Sequence, residues 1–179
     1  ELANPPADLV QCADQMANYL KLQQQPNGAL LVKVGSKTFS AGSAEPDAEA
    51  AGWALEGVIR SHKHRPAPWK LDLLRAARAH YVPQWQSKKD VRSMCSHTPA
   101  YAEAYVQTKD AVFADAVFTA NDWLLGLQYR EEFDLNRKTW IGGFPTRRDA
   151  ARTPPDVESG LVVESLAEAC RVAKHAGDL

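Results

Sequence analysis

Four acidic residues sit where helices are expected to begin: Asp47 and Glu49 after Pro46, and Asp156 and Glu158 after Pro154 and Pro155. Carboxylates in pairs can divide general-acid and general-base work when their surroundings push their pKa values apart. His97, one helical turn before Tyr101, adds a candidate general base at the end of an expected loop. Trp53, Tyr101, Tyr105 and Trp140 lie beside these acids or in adjoining loops and present flat apolar faces. Arg147 and Arg148 can neutralise an anionic substrate through forked N–H donors. The candidate catalytic groups are therefore Asp47, His97, Tyr101 and Asp156. The candidates for holding substrate are Glu49, Trp53, Tyr105, Trp140, Arg147 and Glu158.

Each of these has a plainer role. Acids in a first helical turn complement the helix dipole and cap free N–H groups without any substrate. Aromatic residues at helical spacing pack between helices, and paired arginines in a loop can simply be solvated. Cys95 and His97 make only two soft metal ligands, and no HExxH or CxxC spacing occurs, so no metal site is expected. His62 and His64 fall at a helix C-terminus, where a protonated imidazole is favoured. No GxSxG, phosphate-binding loop or dinucleotide fingerprint is present, and no cofactor is implied.

Six helices position these residues. Leu9, Ala13, Met16 and Leu20 recur at spacings of three and four, predicting a helix that ends near Gln23 before Pro26-Asn27-Gly28. Within the 25–45 connection, Leu30 to Val34, Gly35-Ser36 and Lys37 to Phe39 suggest a small β-hairpin. A second helix opens at Pro46 and stops before Pro66, and a third runs from about Trp69 on a Leu71, Leu74, Ala77, Tyr81 stripe to Pro83. The polar run from Gln84 to His97 reads as a long connection. Thr98 as N-cap and Pro99 at the first helical position then predict a fourth helix to Gln107. A fifth starts at Asp110, and a sixth at about Thr153, after a third long connection from Tyr129.

Glu49, Glu103 and Glu158 mark the even-numbered helices at intervals of 54 and then 55 residues (49 to 103, 103 to 158). A second echo sets Ala17 to Gln23 against Asp122 to Gln128, each followed by a glycine-containing connection. The pattern predicts an all-α fold of three stacked αα-hairpins spanning residues 1–179 as one domain. The expected connections are long into the even helices, about 12 to 25 residues, and short out of them. Every long loop and three helix N-termini then share one end, where polar or anionic groups can be held. A stack of this kind needs its ends covered, by further repeats of a parent chain or by another copy of itself.

A formal net charge of -1 over 179 residues gives no electrostatic reason for nucleic acid, and no apolar run approaches the roughly 20 residues of a membrane-spanning helix. Cys12, Cys95 and Cys170 are odd in number and far apart, so buried reduced thiols are expected in place of a disulfide framework.

The alternation of helices at this period, Gln128 near the end of one helix, the Gly142-Gly143-Phe144 loop and a Pro-initiated helix rich in small residues resemble the (α/α) toroid proteins. The chain is most similar to the barrels of six-hairpin glycosidases, polysaccharide lyases and glucuronyl C5-epimerases. More distantly it resembles terpenoid cyclase toroids, with an inserted stretch between Gln128 and the glycines. The resemblance implies a concave site at the open end that binds or processes an oligosaccharide or a uronate-containing polysaccharide. The readings set against it are a non-catalytic helical-repeat interaction module and, third, terpenoid chemistry in an aromatic cavity. A saccharide ligand is the partner expected on the first reading, with neither nucleic acid nor membrane.

Overall fold

The computed structural model describes residues 5–34, 37–39, 46–130, 138–145, 154–155, 157 and 159–177; of 32–34, 37–39 and 46–47 it describes the backbone alone. The fold is all-α. Six helices, α1 (Ala7–Gln23), α2 (Pro46–His64), α3 (Pro68–Lys88), α4 (Val91–Thr108), α5 (Ala111–Leu125) and α6 (Ser159–Ala176), are joined by short turns and two long connections. The first long connection holds the expected hairpin: β1 (Val32–Val34) pairs antiparallel with β2 (Lys37–Phe39), Val32 opposite Phe39. Among its described residues the second contains a turn of 3-10 helix, Lys138–Trp140.

The even helices form one layer in which α4 packs against both α2 and α6, and α3 joins α1 to α5 in the other. Within the even layer the chains run parallel. Arg92 meets Glu49 near the N-terminal ends of α4 and α2, and the Gln107 amide donates to the Ile59 carbonyl near their C-terminal ends. Ser165 likewise lies beside Thr98, and Arg171 beside Glu103. Parallel helices of this kind are what three stacked αα-hairpins require.

The interval between units differs from the expectation. Contacting residues of α2 and α4 are 43 to 48 positions apart (49 to 92, 59 to 107) and those of α4 and α6 are 67 or 68 (98 to 165, 103 to 171). Glu49 lies in the first turn of α2, Glu103 in the last third of α4, and Glu158 outside the described residues. Glu49 and Glu103 are therefore not equivalent positions.

The cause is the run from Gln84 to His97, which is helix and not loop. The α3 stripe passes through Pro83 to Trp85, four residues beyond Tyr81, and both aromatics are buried. Lys89 then takes a left-handed conformation (φ 55°), and Asp90 caps α4 by accepting from the Ser93 N–H and hydroxyl. The same Lys-Asp dipeptide turns the chain between α4 and α5, with Lys109 at φ 59° and Asp110 accepting from the Val112 N–H. Thr98 is consequently no cap. It is buried inside α4, where its hydroxyl donates to the Met94 carbonyl, and Pro99 follows it in the helix interior. The middle connection at the loop end shrinks to two residues, so only the first and third are long.

The glycine-linked echo recurs in space one residue out of register, with Gln24 in place of Gln23 as the counterpart of Gln128. At the end of α1 the Gln24 amide donates to the carbonyl of Gly28 (φ 89°), and beyond α5 the Gln128 amide donates to the carbonyl of Gly142 (φ 88°). Positive φ is a glycine conformation, so each helix-end glutamine clasps a turn that only glycine forms without strain. At Gly28 a side chain would also strike α3, since a Cβ there would sit 2.1 Å from the Ala76 carbonyl oxygen.

One buried cluster runs through all six helices, with α4 at its centre. Thirteen of the eighteen α4 residues are buried, among them Ser93, Ser96, His97 and Thr98. These polar side chains tolerate burial because they bond back to their own helix: the Ser96 hydroxyl and His97 Nδ1 to the Ser93 carbonyl, and Thr98 to Met94. Between helices, the Ser165 hydroxyl stands 2.9 Å from Thr98 Oγ1 and 3.0 Å from Asn121 Oδ1, tying α6 to α4 and α5.

Candidate functional site

Two of the candidate catalytic residues, His97 and Tyr101, are placed away from any groove. His97 and Tyr101 lie in the core, in an aromatic column that runs Tyr81, His97, Tyr101, Phe113 with ring centres 4.9, 5.8 and 6.0 Å apart. Both are buried, at 0 and 1% exposure. The His97 Nδ1 is 2.8 Å from the Ser93 carbonyl, an acceptor, which places the proton on Nδ1 and leaves Nε2 as the lone-pair nitrogen. Burial pushes the His97 pKa down to about 4, and the Ser93 bond offsets this only in part. The ring is thus neutral near pH 7 but has no route to a substrate in solvent. Burial likewise raises the Tyr101 hydroxyl far above the ordinary phenol range. A general-base role for His97 beside Tyr101 is incompatible with this placement.

Two further candidates, Tyr105 and Trp140, pack against neighbouring side chains. Tyr105 is buried with the Lys109 ammonium 5.1 Å from its ring centre. Trp140 is half-buried in the long α5–α6 connection and meets the Tyr129 ring edge-on at 5.4 Å. The side chain of Asp47, together with Arg147, Arg148, Asp156 and Glu158, lies outside the described residues. Among the described residues no group of three or more His, Cys, Asp or Glu side chains is placed to hold a metal ion. No helix of the described residues is long and apolar enough to cross a membrane.

Two of the expected binding residues do share a cleft. Glu49 and Trp53, with Glu56, project from successive turns of α2 into a small cleft of about 40 Å³. Its α4 side is formed by Arg92, Cys95, Ser96 and Pro99, and its α6 side by Leu161 and Glu164. The Trp53 indole is 56% exposed. Glu49 pairs with Arg92 at 3.4 Å. Glu56 is held above the usual carboxylate range, first by burial and then by the nearby Glu164, Glu168 and Glu103, although Arg60 lies 2.6 Å away and opposes the shift. Each of the two carboxylates therefore has an arginine beside it, Arg92 for Glu49 and Arg60 for Glu56.

Glu56 and Glu164 escaped the sequence reading because neither lies in a first helical turn. The available signal was the spacing Glu49, Trp53, Glu56, which puts all three on one helical face. Cys95 at the cleft wall is no nucleophile, because burial raises its thiol to about 12.

The thiols divide otherwise than expected. Cys95 alone is buried, whereas Cys12 on α1 and Cys170 on α6 are exposed, and all three are free. On α1 the reading of the inner face fails as well. Leu9 and Met16 stand in solvent, as do Ala13, Tyr19 and Leu22, and the helix buries only Ala17 fully. Of the expected stripe only Leu20 packs on the core; the inner face is otherwise the line Val10, Asp14, Ala17, where Asp14 accepts from the Lys70 ammonium at 2.8 Å. Lys70 is completely buried and also donates to the Arg65 carbonyl.

No protein-family model, no curated protein and no solved structure matches the chain.

Proposed function

We propose that this chain works by contact, as a helical-repeat interaction module whose working surface is the outer face of α1. One observation carries the reading: Leu9, Met16, Tyr19 and Leu22 are each at least half exposed on a single helix, with the exposed Cys12 among them. Apolar patches of this kind on a folded surface mark contact sites, and the outer helix of a repeat stack ordinarily turns a polar face to water. The burial of His97 and Tyr101 supports the same view, since the strongest candidates for chemistry serve the core.

Alkylation of Cys12 tests this with an internal control. Cys170 is equally a free, exposed thiol but sits on α6. In extract of the cells that express the protein, labelling of Cys12 is expected to slow while that of Cys170 stays at its rate in buffer. Equal rates at both thiols, in extract and in buffer, would remove the reading.

The α2–α4–α6 cleft favours a second reading, saccharide binding of the kind the toroid resemblance implies. Its support is the exposed Trp53 ring beside Glu49 and Glu56. Three carboxylates against one arginine fit a neutral sugar better than a uronate, whose own charge they repel. Titration with neutral oligosaccharides should shift the tryptophan emission of the parent and not of Trp53→Phe; identical responses from the two would exclude the cleft.

A further inference from the structure

Leu9, Cys12, Met16 and Tyr19 are spaced three, four and three residues apart, the a and d positions of a heptad seam, and all four are exposed. The seam lies opposite the Val10, Asp14, Ala17 face that packs on the core. We propose that a second copy of this chain covers it, laying its own α1 antiparallel across a two-fold axis, so that Leu9 meets the partner's Tyr19 and Cys12 meets the partner's Met16. The proposal rests on the interaction-module reading and names the partner.

Three features favour a copy of this chain in this orientation. The antiparallel register sets a large side chain against a smaller one in each layer, whereas a parallel register stacks Tyr19 on its own copy and Cys12 on its own copy, one layer overfilled and one empty. Antiparallel pairing also opposes the two helix dipoles, whereas parallel pairing aligns them. Beside the axis, Ala13 and Gln15 meet their own copies. The first allows close approach, and the second is donor and acceptor at once, so a self-match satisfies it.

The size of the seam sets the strength. Seventeen residues make a helix about 25 Å long, and such a contact falls among the small, transient interfaces below about 1,200 Å² in total. A dissociation constant on the order of 10 to 100 µM is expected.

Sedimentation of the whole chain between about 5 and 500 µM should show a reversible monomer–dimer equilibrium of that order. Met16→Glu should weaken it at least tenfold with unchanged helical circular dichroism. Orientation is read by cross-linking with diamide as oxidant. In the antiparallel seam two Cys12 residues are offset by about 6 Å along the axes, on helices about 8 to 10 Å apart, beyond disulfide reach. A Cys12 chain mixed with a Cys12→Ser/Met16→Cys chain, both carrying Cys170→Ser, should give a cross-linked dimer that the Cys12 chain alone does not. A monomer at every concentration, or a dimer indifferent to Met16→Glu, overturns the proposal. Preferential Cys12-to-Cys12 cross-linking overturns the antiparallel geometry. Cys12 protection by cell extract in a chain that stays monomeric overturns the second copy as occupant and leaves the interaction module standing.

Discussion

Helices α4 and α1 are nearly the same length and comparably rich in small and polar residues, yet among the described residues one is the most buried of the six helices and the other the least. Helix α4 packs against α2, α3, α5 and α6; its serine and threonine hydroxyls and His97 Nδ1 bond within the helix, to its cap Asp90 or to Ser165, whereas His97 Nε2 and the Tyr101 hydroxyl are buried with no hydrogen-bond partner among the described residues. In α1 one face rests on α2 and α3 through Asp14, Ala17 and Leu20, and the opposite face keeps its apolar side chains in water. Polarity is therefore a poor guide to burial here. Serine and threonine lie inside where local hydrogen bonds complete them, and His97 with one ring nitrogen bonded, while leucine, methionine and tyrosine lie outside where no helix of the described residues covers them.

The contrast can be broken most forcefully at Tyr101. Tyr101→Ala should cost about 3–5 kcal/mol in chemical denaturation, the range for a large buried aromatic. Tyr101→Phe should leave stability unchanged or raised, because the buried hydroxyl has no hydrogen-bond partner among the described residues. A severe loss in Tyr101→Phe would show that the hydroxyl has a role the core description misses.

The pH dependence of α4 follows from His97. Its folded pKa, about 4, lies below the ordinary 6.5, so between these values the unfolded chain binds the proton and the folded chain does not. Stability contributed by the neutral ring is complete above about pH 6.5 and falls as pH drops toward 4, by roughly 3 kcal/mol at most. Glu56, raised chiefly by burial, acts in the opposite sense above its ordinary 4.5. The comparison that isolates His97 is between the parent and His97→Phe, whose unfolding should lose most of the slope between pH 4 and 6.5. An unchanged slope would place the imidazole in contact with water.

At the boundary between the two regions, Asp14→Asn leaves the buried Lys70 ammonium without its counter-charge. A loss of about 2–3 kcal/mol is expected, less than for a fully buried pair because the Asp14 side chain is 25% exposed. Asp14→Asn combined with Lys70→Met should recover most of it, and failure to recover would mean that the pair also fixes the α1–α3 geometry. Ser165→Ala, which strips a partner from Thr98 and Asn121, should cost about 1–2 kcal/mol. Last, Met16→Gln on the open face of α1 should change the stability of the dilute monomer by less than about 0.5 kcal/mol. A larger loss would mean that the face is covered from within the same chain.

Much of this arrangement was legible in residue order. The all-α class, the β-hairpin between α1 and α2, the starts of α2 and α5 and the clasp linking Gln128 to Gly142 each follow from periodicity, proline position or a glutamine–glycine echo. The start of α4 was legible too, since the Lys-Asp dipeptide at 89–90 repeats the one at 109–110. It was hidden by two prolines that mark helix boundaries in most settings but here lie inside α3 and α4. The candidate site fared worse. Acid and aromatic residues at helical spacing are the same whether they line a cleft, as Glu49 and Trp53 do, or fill a core, as Tyr101 does.

By itself the sequence determined which segments are helical and where most of them turn, because periodicity, capping and backbone conformation are local properties of the chain. Only the tertiary structure decided which face of each helix is inside. Helix α1 carries two stripes, and choosing Val10, Asp14 and Ala17 over Leu9, Met16 and Tyr19 depended on Lys70, a residue on another helix 56 positions away that needed a carboxylate in the core. A buried charge demands its partner more strongly than an apolar side chain demands burial, and that demand is met between elements, where no local pattern records it.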